Sequence, residues 1–214
     1  MCRLDFKPTH FIQLYAMYIF NALWLSIGAL LLAAPVEKSN ITLWNVSQES
    51  IVEVVGSTNV NKFQCNSLRY AGEDQLISVY YPDKKVTEWS GEVVILSKNF
   101  DCYNNIMTKD FHETVLADEH PEIKVRFIQL KKHSTGNEEE QLDGEVEITL
   151  AGVTKRFPIC CFMMNRIGVQ THLSGQQTLQ FSEFGLDPPV KFLGTVKVKN
   201  SITVNFGLVL EEKG

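Results

Sequence analysis

The sequence predicts an all-β domain with one short helix, folded as an eight-stranded antiparallel β-barrel. Three observations carry this. Apolar and polar residues alternate at period two from residue 41 almost to the C-terminus, as they do in antiparallel strands with one dry and one wet face. Turn-rich clusters such as STGNEEEQLDG and NRIG divide the alternating runs, as hairpin connections do. About eight strands result, and closing such a sheet on itself removes its exposed edges.

Before the barrel comes a different kind of segment. Arg3 and Lys7 precede the apolar run FIQLYAMYIFNALWLSIGALLLAA, and Pro35 and polar residues follow it. A basic start, an apolar middle and small residues at the end mark residues 1–34 as a signal peptide. The run is also long enough for an N-terminal membrane anchor that is not removed. Either way the body, residues 38–214, is expected to be exported, periplasmic or secreted. No Cys follows Ala33 or Ala34 to accept a lipid.

Export makes the cysteines informative, because an oxidising compartment permits disulfides. Cys65 ends the short strand NVNKFQC and Cys102 ends VVILSKNFDC. A bridge between them would be worth about 4 kcal/mol by loop closure; the alternative is two buried thiols. Cys160 and Cys161 are adjacent, so in a strand they point to opposite faces and do not pair with each other. No CxxC spacing occurs, which removes the usual zinc and redox motifs.

Within the body, GEVEITLAG puts Val146, Ile148 and Leu150 on one face, and SITVNFGLVLEE does the same with Ile202, Val204, Phe206, Leu208 and Leu210. IKVRFIQLKK, KRFPICCFMM and GQQTLQF alternate less cleanly. The helix is predicted within CYNNIMTKDFHETVLADEHPEI, where Met107, Phe111 and Val115 or Leu116 form one stripe. Asn104 or Asn105 caps it, and Pro121 forbids its continuation. The loop FSEFGLDPPVKFLG holds three phenylalanines and two prolines, far greasier than a surface turn. It is either a lid over a barrel mouth or a plug in the barrel end.

A net charge of -5, with no cluster of Lys and Arg, argues against nucleic acid as a partner. No GxSxG, HExxH or glycine-rich phosphate loop is present. His112, His120, His133 and His172 form no common metal spacing. No catalytic residue, metal ligand or cofactor is therefore expected. Two sequons, NIT at 40–42 and NVS at 45–47, are read as chance.

Four stretches in order, GSTNVNKF (56–63), MTKDFHETVLADEHPEIKVRF (107–127), DGEVEITLAGVTKRFPI (143–159) and SEFGLDPPVKFLGTVKVKNSITVNFGL (182–208), resemble the YceI-like family. The resemblance covers most of residues 42–210, while residues 66–85 follow no pattern of that family. It implies a lipocalin-like barrel that binds a polyisoprenoid or other long-chain lipid without catalysis. The expected lining is Met107, Phe111, Phe127, Met163, Phe181, Phe184, Phe192 and Leu193. The partner is then an apolar long-chain ligand, with membrane contact only through the leader or during lipid exchange; a homodimer is compatible. The rival reading is a filled barrel acting as a protein-interaction module, with Phe184, Phe192 and Leu193 facing the partner.

Overall fold

The computed structural model describes residues 39–68, 70, 74–133, 139–165, 170–191 and 193–213. The expected leader and Phe192 lie outside them. In chain order the strands are β1 (Asn40–Val46), β2 (Ile51–Ser57), β3 (Lys62–Ser67), β4 (Gln75–Tyr81), β5 (Val86–Leu96) and β6 (Phe100–Asp101). After helix α1 (Asn105–Thr114) come β7 (Glu122–His133), β8 (Glu139–Leu150), β9 (Val153–Asn165), β10 (Gln170–Gln180), β11 (Val190–Lys191), β12 (Val196–Lys197) and β13 (Ser201–Glu212). Among the described residues no helix is long and apolar enough to cross a membrane.

Eight strands close into a ring in the order β1-β4-β5-β7-β8-β9-β10-β13, and β13 returns to β1. Every pairing in the ring is antiparallel. Closure depends on β13, whose edge away from β10 serves two neighbours. Its end pairs with β1, Leu210 opposite Val46, and its beginning pairs with β2, Thr203 opposite Val55. β1 and β2 thus act as two halves of one bent strand. The bend is pinned where Ser47 N–H donates to the Val209 carbonyl at 2.8 Å and Val209 N–H donates to Ser50 Oγ at 3.0 Å. Beyond it, β2 leaves the ring to pair with β3, and β3 pairs with β6.

The inward faces follow the alternation. On β8, Leu142, Val146, Ile148 and Leu150 are buried, and on β13 Ile202, Leu208 and Leu210 are buried with Val204 and Phe206 packed against them. Strand β7 changes phase: Val125 and Phe127 face inward, then Leu130, because a bulge separates Phe127 from Gln129. One extra residue shifts the two-residue period. Gly144 of β8 takes up the result, since a Cβ there would collide with the Gln129 carbonyl.

The segment 66–85, patternless in sequence, contains β4. Its inward residues are Leu76 and Ser78, both buried. The serine breaks the apolar alternation, yet it is satisfied: Trp44 Nε1–H donates to Ser78 Oγ at 2.9 Å. Ahead of β4, buried Tyr70 donates to Asp74, whose carboxylate also accepts Val94 N–H at 2.8 Å. Burial raises the Tyr70 phenol well above its ordinary pKa.

Cys65 and Cys102 form a disulfide. It ties β3 to the chain just after β6, where α1 begins. Cys161 is buried on the inner face of β9, and Cys160 beside it is exposed. Burial pushes the Cys161 thiol up to about 12.

Candidate functional site

Helix α1 starts where the sequence stops satisfying its own backbone. Asn104 Oδ1 accepts from Ile106 N–H at 3.0 Å and Met107 N–H at 3.1 Å, so two of the exposed donors of the first turn are capped. The helix is held to the barrel by polar ties. Thr108 Oγ accepts Cys102 N–H at 2.9 Å, and His112 Nε2 lies 3.0 Å from the Phe100 carbonyl. His112 therefore serves as a structural tie. The apolar stripe turns inward through Met107 and Phe111, with Phe111 against Phe100 at 5.2 Å between ring centroids. The stripe ends at buried Val115; Leu116 is half-exposed, at a positive φ of 53° where the helix unwinds.

Between α1, the β2–β3 hairpin and the segment after β10 lies a cavity of about 610 Å³. Its walls are mainly apolar: Val54, Val60, Phe63, Ile106, Met107, Phe111, Phe181, Pro189, Val196 and Val198, with the disulfide partner Cys65. None of its lining residues belongs to the eight ring strands. Phe63 lies across the hairpin because its cross-strand partner is Gly56, where any Cβ would run into the ring. The volume falls inside the roughly 300–1,000 Å³ range of ligand pockets. By contrast, the barrel interior proper keeps a void of only about 50 Å³, lined by Val93, Phe127, Val146, Ile159, Phe206 and their neighbours.

The sequence-predicted residues separate accordingly. Met107, Phe111 and Phe181 line the large cavity. Phe127 is buried in the barrel, its ring 6.2 Å from Phe206, and borders only the small void. Met163 and Phe184 are fully buried packing residues that line neither space. Phe184 stacks near Phe157 with centroids 6.2 Å apart. Leu193 corrects the expectation outright: at 108% relative exposure it sits at a turn with φ 56°, outside any pocket. Phe192 lies outside the described residues. The greasy loop thus does two jobs. Its first part, a 3₁₀ turn at Phe181–Phe184 stopped by Gly185 in the left-handed region, packs down with Leu186 on the barrel. Its second part supplies Pro189 and Lys191 as cavity rim.

Sequence reasoning missed the hairpin wall and the polar rim. Val54 and Phe63 sit in alternating strands and read as ordinary core. The polar lining groups are mostly engaged within the protein. Thr58 Oγ donates to Asn61 Oδ1 at 2.7 Å, and Thr114 Oγ donates to the Asp110 carbonyl at 2.6 Å. Lys191 Nζ donates to Asp110 Oδ1 at 2.7 Å, spanning from the loop to α1. That hydrogen bond raises the pKa of Lys191 above its ordinary value. Among the described residues no group of acidic, His and Cys side chains is arranged to hold a metal ion.

No protein-family model matches the sequence, and no curated protein matches it. Solved structures do. BcnA of Burkholderia cenocepacia superposes with a TM-score of 0.57 at 16% identity, over 77% of this chain and 98% of that one. A polyisoprenoid binding domain from Saccharophagus degradans, implicated in plant cell wall breakdown, gives 0.54 at 10% identity, over 79% and 98%. The chain therefore has the fold of these two proteins, here an eight-stranded antiparallel ring with one helix.

Proposed function

We propose that the protein is a YceI-like lipid-binding protein that sequesters or carries a polyisoprenoid or similar long-chain amphiphile and performs no chemistry on it. The observation that carries this reading is the 610 Å³ apolar cavity under α1, on a fold shared with a polyisoprenoid binding domain. Each methylene moved from water into such a space gains about 0.8 kcal/mol. Ten or so buried methylenes then hold a ligand without any strong polar contact. Met107, Phe111 and Phe181 are the contact residues proposed from the original set, joined by Val54 and Phe63.

Residues 1–34 are proposed as the leader that exports the domain beginning near residue 38, and the disulfide supports an oxidising destination. Apolar side chains stand exposed around the cavity, Val60 at 66%, Ile106 at 73% and Val190 at 56%. With Leu193 they form the surface through which the domain meets a membrane during lipid exchange. Extraction of the purified full-length chain with organic solvent, followed by mass spectrometry, tests the reading. A stoichiometric long-chain species is expected. The small barrel void and the exposure of Leu193 favour one alternative, a filled barrel whose rim docks a protein; an empty extract, with no binding of added prenols, would favour it over the carrier.

A further inference from the structure

A carrier must discriminate headgroups as well as tails, and the charge at the cavity decides how. Asp110 and Lys191 are the only charged side chains lining it among the described residues. They are bound to each other at 2.7 Å, with Asp110 only 19% exposed and Lys191 44% exposed. The pair is neutral as a unit. Lys191 is thereby withdrawn as an anion receptor, and the carboxylate beside it repels phosphate directly. A phosphorylated headgroup entering here would need to take Lys191 from Asp110, leaving a half-buried carboxylate without its cation. Two donors at the start of α1, those of Ile106 and Met107, are already taken by Asn104. What the rim still offers is uncharged. Asn61 and Asn104 use their side-chain oxygens within the protein, and their amide N–H groups suit a hydroxyl, carbonyl or ester oxygen.

Resting on the carrier reading, we infer that the bound amphiphile has an uncharged oxygen headgroup, and that Asp110 is the specificity residue that rejects the phosphorylated form of the same chain. The mechanism is exclusion. Tail burial is common to both ligands, so it supplies affinity without preference, while the Asp110–Lys191 pair supplies the preference.

The test uses the full-length chain with geranylgeraniol and geranylgeranyl diphosphate as probes, with affinities read by displacement of a fluorescent apolar dye. The alcohol should bind at least about tenfold more tightly than the diphosphate. Asp110→Asn, which frees the lysine charge, should narrow or reverse that ratio by improving diphosphate binding more than alcohol binding. Exchanging the two charges, Asp110→Lys with Lys191→Asp, should restore the alcohol preference, and failure to restore it would overturn the pair as its source. Equal or tighter diphosphate binding by the natural protein would overturn the headgroup assignment and leave the carrier reading standing. So would an unchanged ratio in Asp110→Asn. Failure to bind either probe would overturn both.

Discussion

The length of the tail that fits is a number the cavity fixes in advance. At the roughly 30 Å³ share of a water-sized volume, 610 Å³ holds on the order of 20 carbons. Up to that length each added methylene should be buried, gaining about 0.8 kcal/mol, or about fourfold in affinity. Past it the chain has two places to go, solvent or the barrel, and the barrel offers only about 50 Å³. Saturated primary alcohols of increasing length, delivered from cyclodextrin and measured by dye displacement, should therefore show a steep rise and then a break near 20 carbons. Met107→Trp, which intrudes from α1, should move the break to shorter chains. A rise that continued unbroken to about twice that length would refute the reasoning, for it would require the packed interior to open into a tunnel. A flat series would show that the tail is not buried in this cavity at all.

Three further outcomes follow from the same geometry. Removing the disulfide with Cys65→Ala and Cys102→Ala, partners 37 residues apart, should cost about 4 kcal/mol by loop closure and lower the Tm by roughly 10 °C in a differential scan; a shift under about 2 °C would mean the unfolded chain is already constrained there. Maleimide at pH 8 should label exposed Cys160 in the native protein and spare Cys161, held near 12 by burial, with peptide mass spectrometry as the readout; equal labelling would place Cys161 in solvent. On the outer face, Arg126 and then Arg156 bond Glu147 and depress its pKa below the ordinary 4.5. Its stabilising contribution is complete above that value and is lost as the pH falls through the depressed one, so the Tm gap between the natural protein and Glu147→Gln should close in acid; a gap constant from neutral pH to strongly acidic conditions would contradict the pairing.

Much of the fold was legible because local pattern and final environment agree. Strands β8 and β13 alternate in sequence and face inward at the residues that the alternation names. Where they disagree, a specific event intervenes. IKVRFIQLKK looked irregular because the bulge after Phe127 moves the inward set from odd to even positions. β4 hid because Ser78 occupies an inward site and is rescued by Trp44, a partner 34 residues away. The helix announced its inner face through Met107 and Phe111, which have the right spacing whatever surrounds them.

The site was less legible. A residue that lines a cavity and one that fills a core have the same chemistry, so Met163 and Phe184 were indistinguishable from Phe181 until their neighbours were known. Leu193 failed for a different reason. Its backbone lies in the left-handed region at a turn, and at this turn the side chain stands fully in solvent despite its hydrophobicity. The bend between β1 and β2, which creates the hairpin wall, leaves no apolar signature either; it is made by Ser47 and Ser50 binding the main chain of Val209.

Because none of the eight ring strands lines the large cavity, a guest held there, as proposed, would sit outside the closed ring of the barrel. At that cavity the short helix and the segment bearing β11 are joined by the bond between Asp110 and Lys191. On the carrier reading, resistance to unfolding and release of the guest would then be governed by different residues.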